Sequence, residues 1–123
     1  MSEFARPTAV AECVFCQMAA GKLEPTGWVH RDDDIIAILD IAPQAPKHLL
    51  VIPTAHYQTP ADFVSQAEPA LVARVFSMAA QLGREQSATG FRLVANQGVE
   101  GGQTVKHMHI HVLAGRQMNW PPG

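Results

Sequence analysis

The sequence predicts one α+β domain, an antiparallel sheet of five short strands carrying one long helix and one or two short ones. Three observations carry this. Short apolar segments alternate with turn residues along most of the chain, as strands joined by tight connections require. A single long segment, Pro69 to Ser87, repeats its apolar residues at helical spacing instead. The length of 123 residues, 47% of them hydrophobic, suits one core and is too short for two.

The elements follow in order. Residues 1–12 read as a flexible arm, and 13–123 as the domain, including a C-terminal tail over 115–123. Cys13 to Ala20 forms a short helix stopped by Gly21. Trp28–Arg31 and Ile35–Leu39 make a hairpin around Asp32-Asp33-Asp34. Pro43 and Pro46 mark a loop, and His48–Ile52 is a third strand ended by Pro53. In the long helix Leu71, Val75, Met78, Ala79 and Leu82 form the stripe facing the sheet. Ser65-Gln66-Ala67-Glu68 spells a capping box, but that register puts Pro69 where an intrahelical N–H is needed. Pro69 as the first helical residue is the better start. Gly90 closes the helical segment, Phe91–Ala95 is a fourth strand and His107–Ala114 a fifth.

Composition excludes several classes of function. A formal net charge of −2 with nine Lys and Arg leaves no basic footprint for nucleic acid. No apolar run approaches the ~20 residues of a membrane span, and Met1–Glu12 lacks the apolar stretch of a signal peptide. A cytoplasmic protein is expected. The two cysteines form one C-x-x-C, Cys13 and Cys16, which in a reducing compartment points to metal or redox chemistry before a disulfide.

The chemistry centres on His107-Met108-His109-Ile110-His111-Val112-Leu113. Side chains two apart on a strand share a face. Met108, Ile110 and Val112 therefore enter a core while His107, His109 and His111 line one open surface. Imidazole serves as nucleophile, acid–base group or metal ligand near neutral pH. Upstream lies Asn96-Gln97-Gly98-Val99-Glu100-Gly101-Gly102-Gln103-Thr104, whose glycines allow close backbone approach and whose N–H groups can form an anion nest. Alone this is an ordinary flexible turn; feeding into the histidine strand, it reads as a phosphate loop.

The H-x-H-x-H strand resembles the signature of the histidine triad (HIT) family of nucleotide hydrolases and transferases. The resemblance extends to Cys13-Val14-Phe15-Cys16, to Leu39-Asp40-Ile41-Ala42-Pro43-Gln44-Ala45-Pro46-Lys47-His48, and to Gly101-Gly102-Gln103. The ending, Gly115-Arg116-Gln117-Met118-Asn119-Trp120-Pro121-Pro122-Gly123, is similar to the nucleoside phosphoramidase branch rather than the dinucleoside polyphosphate hydrolases. It implies a HIT-like fold and a homodimer that joins two five-stranded sheets. The activity it implies is that of a purine nucleoside phosphoramidase and acyl-nucleotide hydrolase, acting on AMP or GMP derivatives. Dinucleoside polyphosphate hydrolysis and a non-catalytic, zinc-stabilised nucleotide-binding scaffold are the alternatives.

The same resemblance implies residue roles. His109 is the nucleophile, forming a nucleotidyl-histidine that water cleaves to the nucleoside 5′-monophosphate. His111, Thr104, Gln103 and Asn96 are donors to the phosphate, with Gly102 in the loop beside them. Asp40 accepts from the ribose hydroxyls, although an Asp at this place can equally cap the loop before Pro43. Phe15, Met18, Leu39 and Ile41 form the base pocket. Cys13, Cys16, His48 and His107 are the implied set for a structural zinc, a donor set suited to tetrahedral coordination. If His48 and His107 hold metal, the leaving group's proton comes from His111 or solvent. Trp120 borders the partner's active site unless it packs on its own subunit. His30 and His56 have no pattern around them and are expected at the surface.

Overall fold

The computed structural model describes residues 4–123. Three helices and five strands follow in the order α1 (Val14–Ala19), β1 (Trp28–Arg31), β2 (Ile35–Leu39), β3 (Lys47–Pro53), α2 (Pro60–Gln66), α3 (Pro69–Gln86), β4 (Phe91–Val94) and β5 (Ile110–Ala114). The strands form one sheet ordered β1-β2-β3-β5-β4, with every neighbouring pair antiparallel. The expected fold class is therefore observed.

The two faces of the sheet differ. Ile35, Ala37, Leu49, Val51, Ile110 and Val112 point to one side and pack with Phe63 of α2 and Val75, Ala79 and Leu82 of α3. Ile36, Ile38, Leu50 and Ile52 point to the other and pack with Phe15 of α1. Two-sided covering explains why β2 and β3 read as continuous apolar runs rather than alternating ones. Fully burying a side chain of this kind stabilises by about 1.5–3 kcal/mol, so these central strands anchor the domain.

Local rules account for the helix ends. Cys13 caps α1, its Sγ accepting from the Cys16 N–H, and Gly21 closes it at φ 76°. Pro69 is the first residue of α3, after a Glu68 cap without a side-chain bond, so the capping-box register is not the one used. The helix α2 is the second of the one or two short helices expected, although no sequence pattern points to its place. Thr59 caps it by accepting from the Asp62 N–H at 3.1 Å, Pro60 opens it, and Phe63 is its one buried residue. Two turns with a single buried side chain give no periodicity to detect.

The fifth strand is shorter than expected. The Met108 N–H donates to the Tyr57 carbonyl instead of to β3, so the ladder stops at Ile110. Residues 107–109 peel from the sheet toward the segment after β3. The face carrying the histidines is also not open: His107 and His109 are buried, because α1 lies over it. Of the arm, Arg6 reaches Thr54 Oγ1 at 2.9 Å, and Gln17 holds the Ala11 carbonyl at 2.8 Å; Met1–Glu3 lie outside the described residues. No described helix is long and apolar enough to cross a membrane.

Candidate active site and metal-ligand cluster

The three histidines of 107–111 face three environments, and each environment fixes a tautomer. His107 Nε2 donates to the Pro53 carbonyl at 2.7 Å, which leaves Nδ1 as a lone pair. That nitrogen lies 3.2 Å from Cys13 Sγ, 3.6 Å from Cys16 Sγ and 3.1 Å from His56 Nδ1. Cys16 Sγ lies 3.3 Å from His56 Nδ1. Cys13, Cys16, His56 and His107 thus converge on one point.

Tetrahedral zinc, with Zn–S of ~2.3 Å and Zn–N of ~2.0–2.1 Å, needs ligand atoms ~3.3–3.8 Å apart. The observed separations meet that within a few tenths of an ångström, and the set is compatible with zinc. The fourth member of this cluster is His56, half-buried at the turn after β3, and His48 of the expected set lies outside it. His48 has no lone pair to offer. Its Nδ1 accepts from the Gln44 N–H at 3.0 Å, and its Nε2 meets His111 Nδ1 at 2.9 Å and Asp40 Oδ2 at 3.5 Å. Nothing in the spacing of His56 pointed to the cluster; Pro53 ends β3, and the turn that follows returns His56 to His107. His30 pairs with Asp32 at 2.6 Å, half-buried and away from the cluster.

His109 Nδ1 donates to the His107 carbonyl at 2.7 Å, so Nε2 carries the lone pair. Burial lowers its pKa below the ordinary histidine value, outweighing that bond and the Asp40 charge. For His111 the donor is His48: with His48 Nδ1 accepting, its Nε2–H donates to His111 Nδ1 and leaves the His111 Nε2–H outward. Burial first, and then the neighbouring His109 and His48, push His111 down to about 4. Both imidazoles are neutral at pH 7. One side of the strand thus presents a nucleophilic lone pair beside an N–H donor.

These two histidines line a pocket of ≈ 460 Å³ together with Phe15, Met18, Ile38, Leu39, Asp40, Ile41, Leu50, Thr104 and Val105. Eight of the residues expected at a nucleotide site meet there. The pocket's outer wall, Leu23-Glu24-Pro25-Thr26, was not anticipated, since a short coil segment before β1 has no pattern of its own. Asp40 does cap its loop, Oδ1 accepting from the Ala42 N–H at 2.7 Å.

Four expected residues stand apart from that pocket. Gln103 staples the glycine loop: Nε2 donates to the carbonyls of Gln58 and Val105, and Oε1 accepts from the Gly98 N–H. Its donors are already engaged. Gly102, at φ 80°, and Asn96 lie in the same loop segment outside the pocket lining. Trp120 is 83% exposed, so packing against its own chain is not what the structure shows. The tail leaves the sheet with Arg116 held to the Gln44 carbonyl and Asn119 to Arg92, and the indole points outward.

Comparison with known proteins decides the family. The family model described as HIT domain matches residues 22–118. The chain belongs to the HIT family. An uncharacterized HIT-like protein of Synechococcus elongatus is 40% identical over 99 residues, covering 80% of this chain and 87% of the relative. Among solved structures, a HIT family hydrolase from Legionella pneumophila superimposes with a TM-score of 0.80 at 41% identity, over 91% of this chain and all of that one (100%). A HIT family protein from Mycobacterium smegmatis, described as zinc-bound, gives 0.73 at 30% identity over 89% of this chain and 78% of its own. The histidine segment that marks this HIT protein is the same one that lines its pocket and its cysteine cluster.

Proposed function

We propose that this HIT protein hydrolyses purine nucleoside 5′-phosphoramidates and acyl-nucleotides, releasing the nucleoside 5′-monophosphate through a nucleotidyl-His109 intermediate. One observation carries the reading: a buried, neutral His109 whose Nδ1–H is committed to the His107 carbonyl, with Nε2 facing a nucleotide-sized pocket. A neutral imidazole attacks phosphorus without prior deprotonation.

In the first step Nε2 bonds to the α-phosphorus and the P–N or P–O bond to the leaving group breaks, its electron pair leaving with the amine or acid. The imidazole becomes cationic, and the His107 carbonyl, already accepting its Nδ1–H, stabilises that charge. The His111 Nε2–H donates to a phosphate oxygen and Thr104 Oγ1 lies in the same lining; the amine's proton comes from His111 or solvent. Water then attacks phosphorus and passes one proton to His111 or solvent, while the P–Nε2 bond breaks and its electron pair returns to His109. Asp40 serves the ribose with the acceptor capacity left after capping its loop.

Cys13, Cys16, His56 and His107 are the residues that would hold zinc, a structural ion fixing His107 and, through its carbonyl, the orientation of His109. We further propose a homodimer. Supporting it, β4 is a sheet edge, and Phe76 of α3 is 60% exposed beside it. In such a dimer the outward Trp120 is available to the partner's leaving-group side.

The test is rapid quenching followed by peptide mass spectrometry. Wild type should carry a nucleoside monophosphate on His109, and H109A should lose more than about a thousandfold in turnover. H109A turnover within about tenfold of wild type overturns the covalent mechanism. Nucleotide binding without any turnover in wild type favours the scaffold alternative.

A further inference from the structure

The polar groups of the pocket fall at its two ends. Asp40, Thr104, His109 and His111 belong to the ribose and phosphate end of the proposed substrate. Glu24 and Thr26 stand on the wall that leads into β1, and the surfaces between are apolar. In the sheet order, β1 lies three strands from β5. At about 4.8 Å per strand, β1 and β5 are separated by roughly 14 Å, a span suited to a nucleotide lying across the sheet. The Leu39 N–H ties this wall to β2 by donating to the Gly27 carbonyl at 3.0 Å.

Glu24 is also held. Its Oε2 accepts from the Trp28 Nε1–H at 2.9 Å. Trp28 is fixed in turn, packing on the Phe15–Ile38–Leu50 cluster below with the Arg31 guanidinium 4.2 Å above its ring. One indole N–H uses one lone pair of the carboxylate, leaving Oε1 and part of Oε2 open.

We propose that Glu24 reads the base and selects guanine over adenine. This rests on the nucleotide reading of the same site and adds the base to it. An ionised carboxylate only accepts, and its two oxygens match two adjacent donors. Guanine offers that pair on its Watson–Crick edge, N1–H beside N2–H₂. Adenine offers N6–H₂ beside N1, whose lone pair meets the carboxylate repulsively. Hypoxanthine, with N1–H alone, falls between. No other carboxylate lines that end of the pocket among the described residues.

The experiment is calorimetric titration of the full chain with GMP, IMP and AMP, for wild type, E24A and E24Q. Glu24 is exposed, so both variants are expected to fold. Wild type should bind GMP about tenfold more tightly than AMP, the size of one charge-assisted hydrogen bond in a solvated setting. IMP should lie between them. E24A should erase the difference. E24Q should move AMP level with or ahead of GMP, because a carboxamide can accept from N6–H₂ while donating to N1. Equal GMP and AMP affinities in wild type, or an unchanged ratio in E24A, overturns the base assignment while leaving the nucleotide reading intact. Absence of binding by all three nucleotides overturns the nucleotide reading itself.

Discussion

Replacing His56 separates two possible zinc sites, because the two candidate fourth ligands have opposite surroundings. His56 Nδ1 lies 3.3 Å from Cys16 Sγ and 3.1 Å from His107 Nδ1, within the cluster. Both nitrogens of His48 are spent on Gln44 and His111. Losing even an outer-shell partner costs metal affinity ~10–100-fold, and losing a ligand costs at least that. At saturating zinc a hundredfold loss is about 2.7 kcal/mol of ligand-linked stability. For 123 residues, an unfolding entropy of about 2.1 cal/mol/K per residue converts this to roughly 10 °C in Tm. The assay is the melting temperature with a chelator and with buffered zinc, alongside zinc content per chain. The zinc-dependent rise in Tm should shrink by roughly 10 °C in H56A. In H48A the rise should persist, although H48A lowers Tm under both conditions by emptying a buried site. A zinc increment retained in H56A and lost in H48A refutes the His56 assignment. No increment in wild type refutes the metal site.

Two further outcomes follow from the geometry. Since burial lowers the pKa of His109 and pushes His111 down to about 4, protonation that silences the nucleophile sets in below the ordinary histidine value. The rate kcat/KM should therefore stay level as pH falls through about 6.5, where an ordinary histidine is half protonated. With a substrate whose leaving group does not titrate in that range, an acid limb centred at or above that pH contradicts the neutral, buried His109. Truncation after Gly115 removes the exposed Trp120 and should reorder the leaving groups by rate, with affinity for the product nucleotide unchanged. An unaltered order detaches the tail from the site.

The sequence by itself determined the sheet, the long helix and where the chemistry is concentrated. Period-two and period-3.6 patterns report which side of an element is apolar, and β5 and α3 carry such a signal, while the continuous apolar runs of β2 and β3 report burial on both faces. Pro69 and Gly21 set helix ends through backbone constraints that need no tertiary partner. The alternation at 107–111 told which residues share a face, and Met108, Ile110 and Val112 are in the core. Only the tertiary structure decided what covers that face and what each imidazole does there. Two neighbouring histidines on one face are alike in sequence, yet one donates to Pro53 and points its lone pair at two thiols, while the next donates backward and keeps Nε2 for the pocket. The exchange of His48 for His56 has the same origin. Metal-ligand identity depends on ångström-scale convergence of side chains from separate segments, and on which ring nitrogen a remote backbone group has already claimed. Neither quantity is written in spacing along the chain.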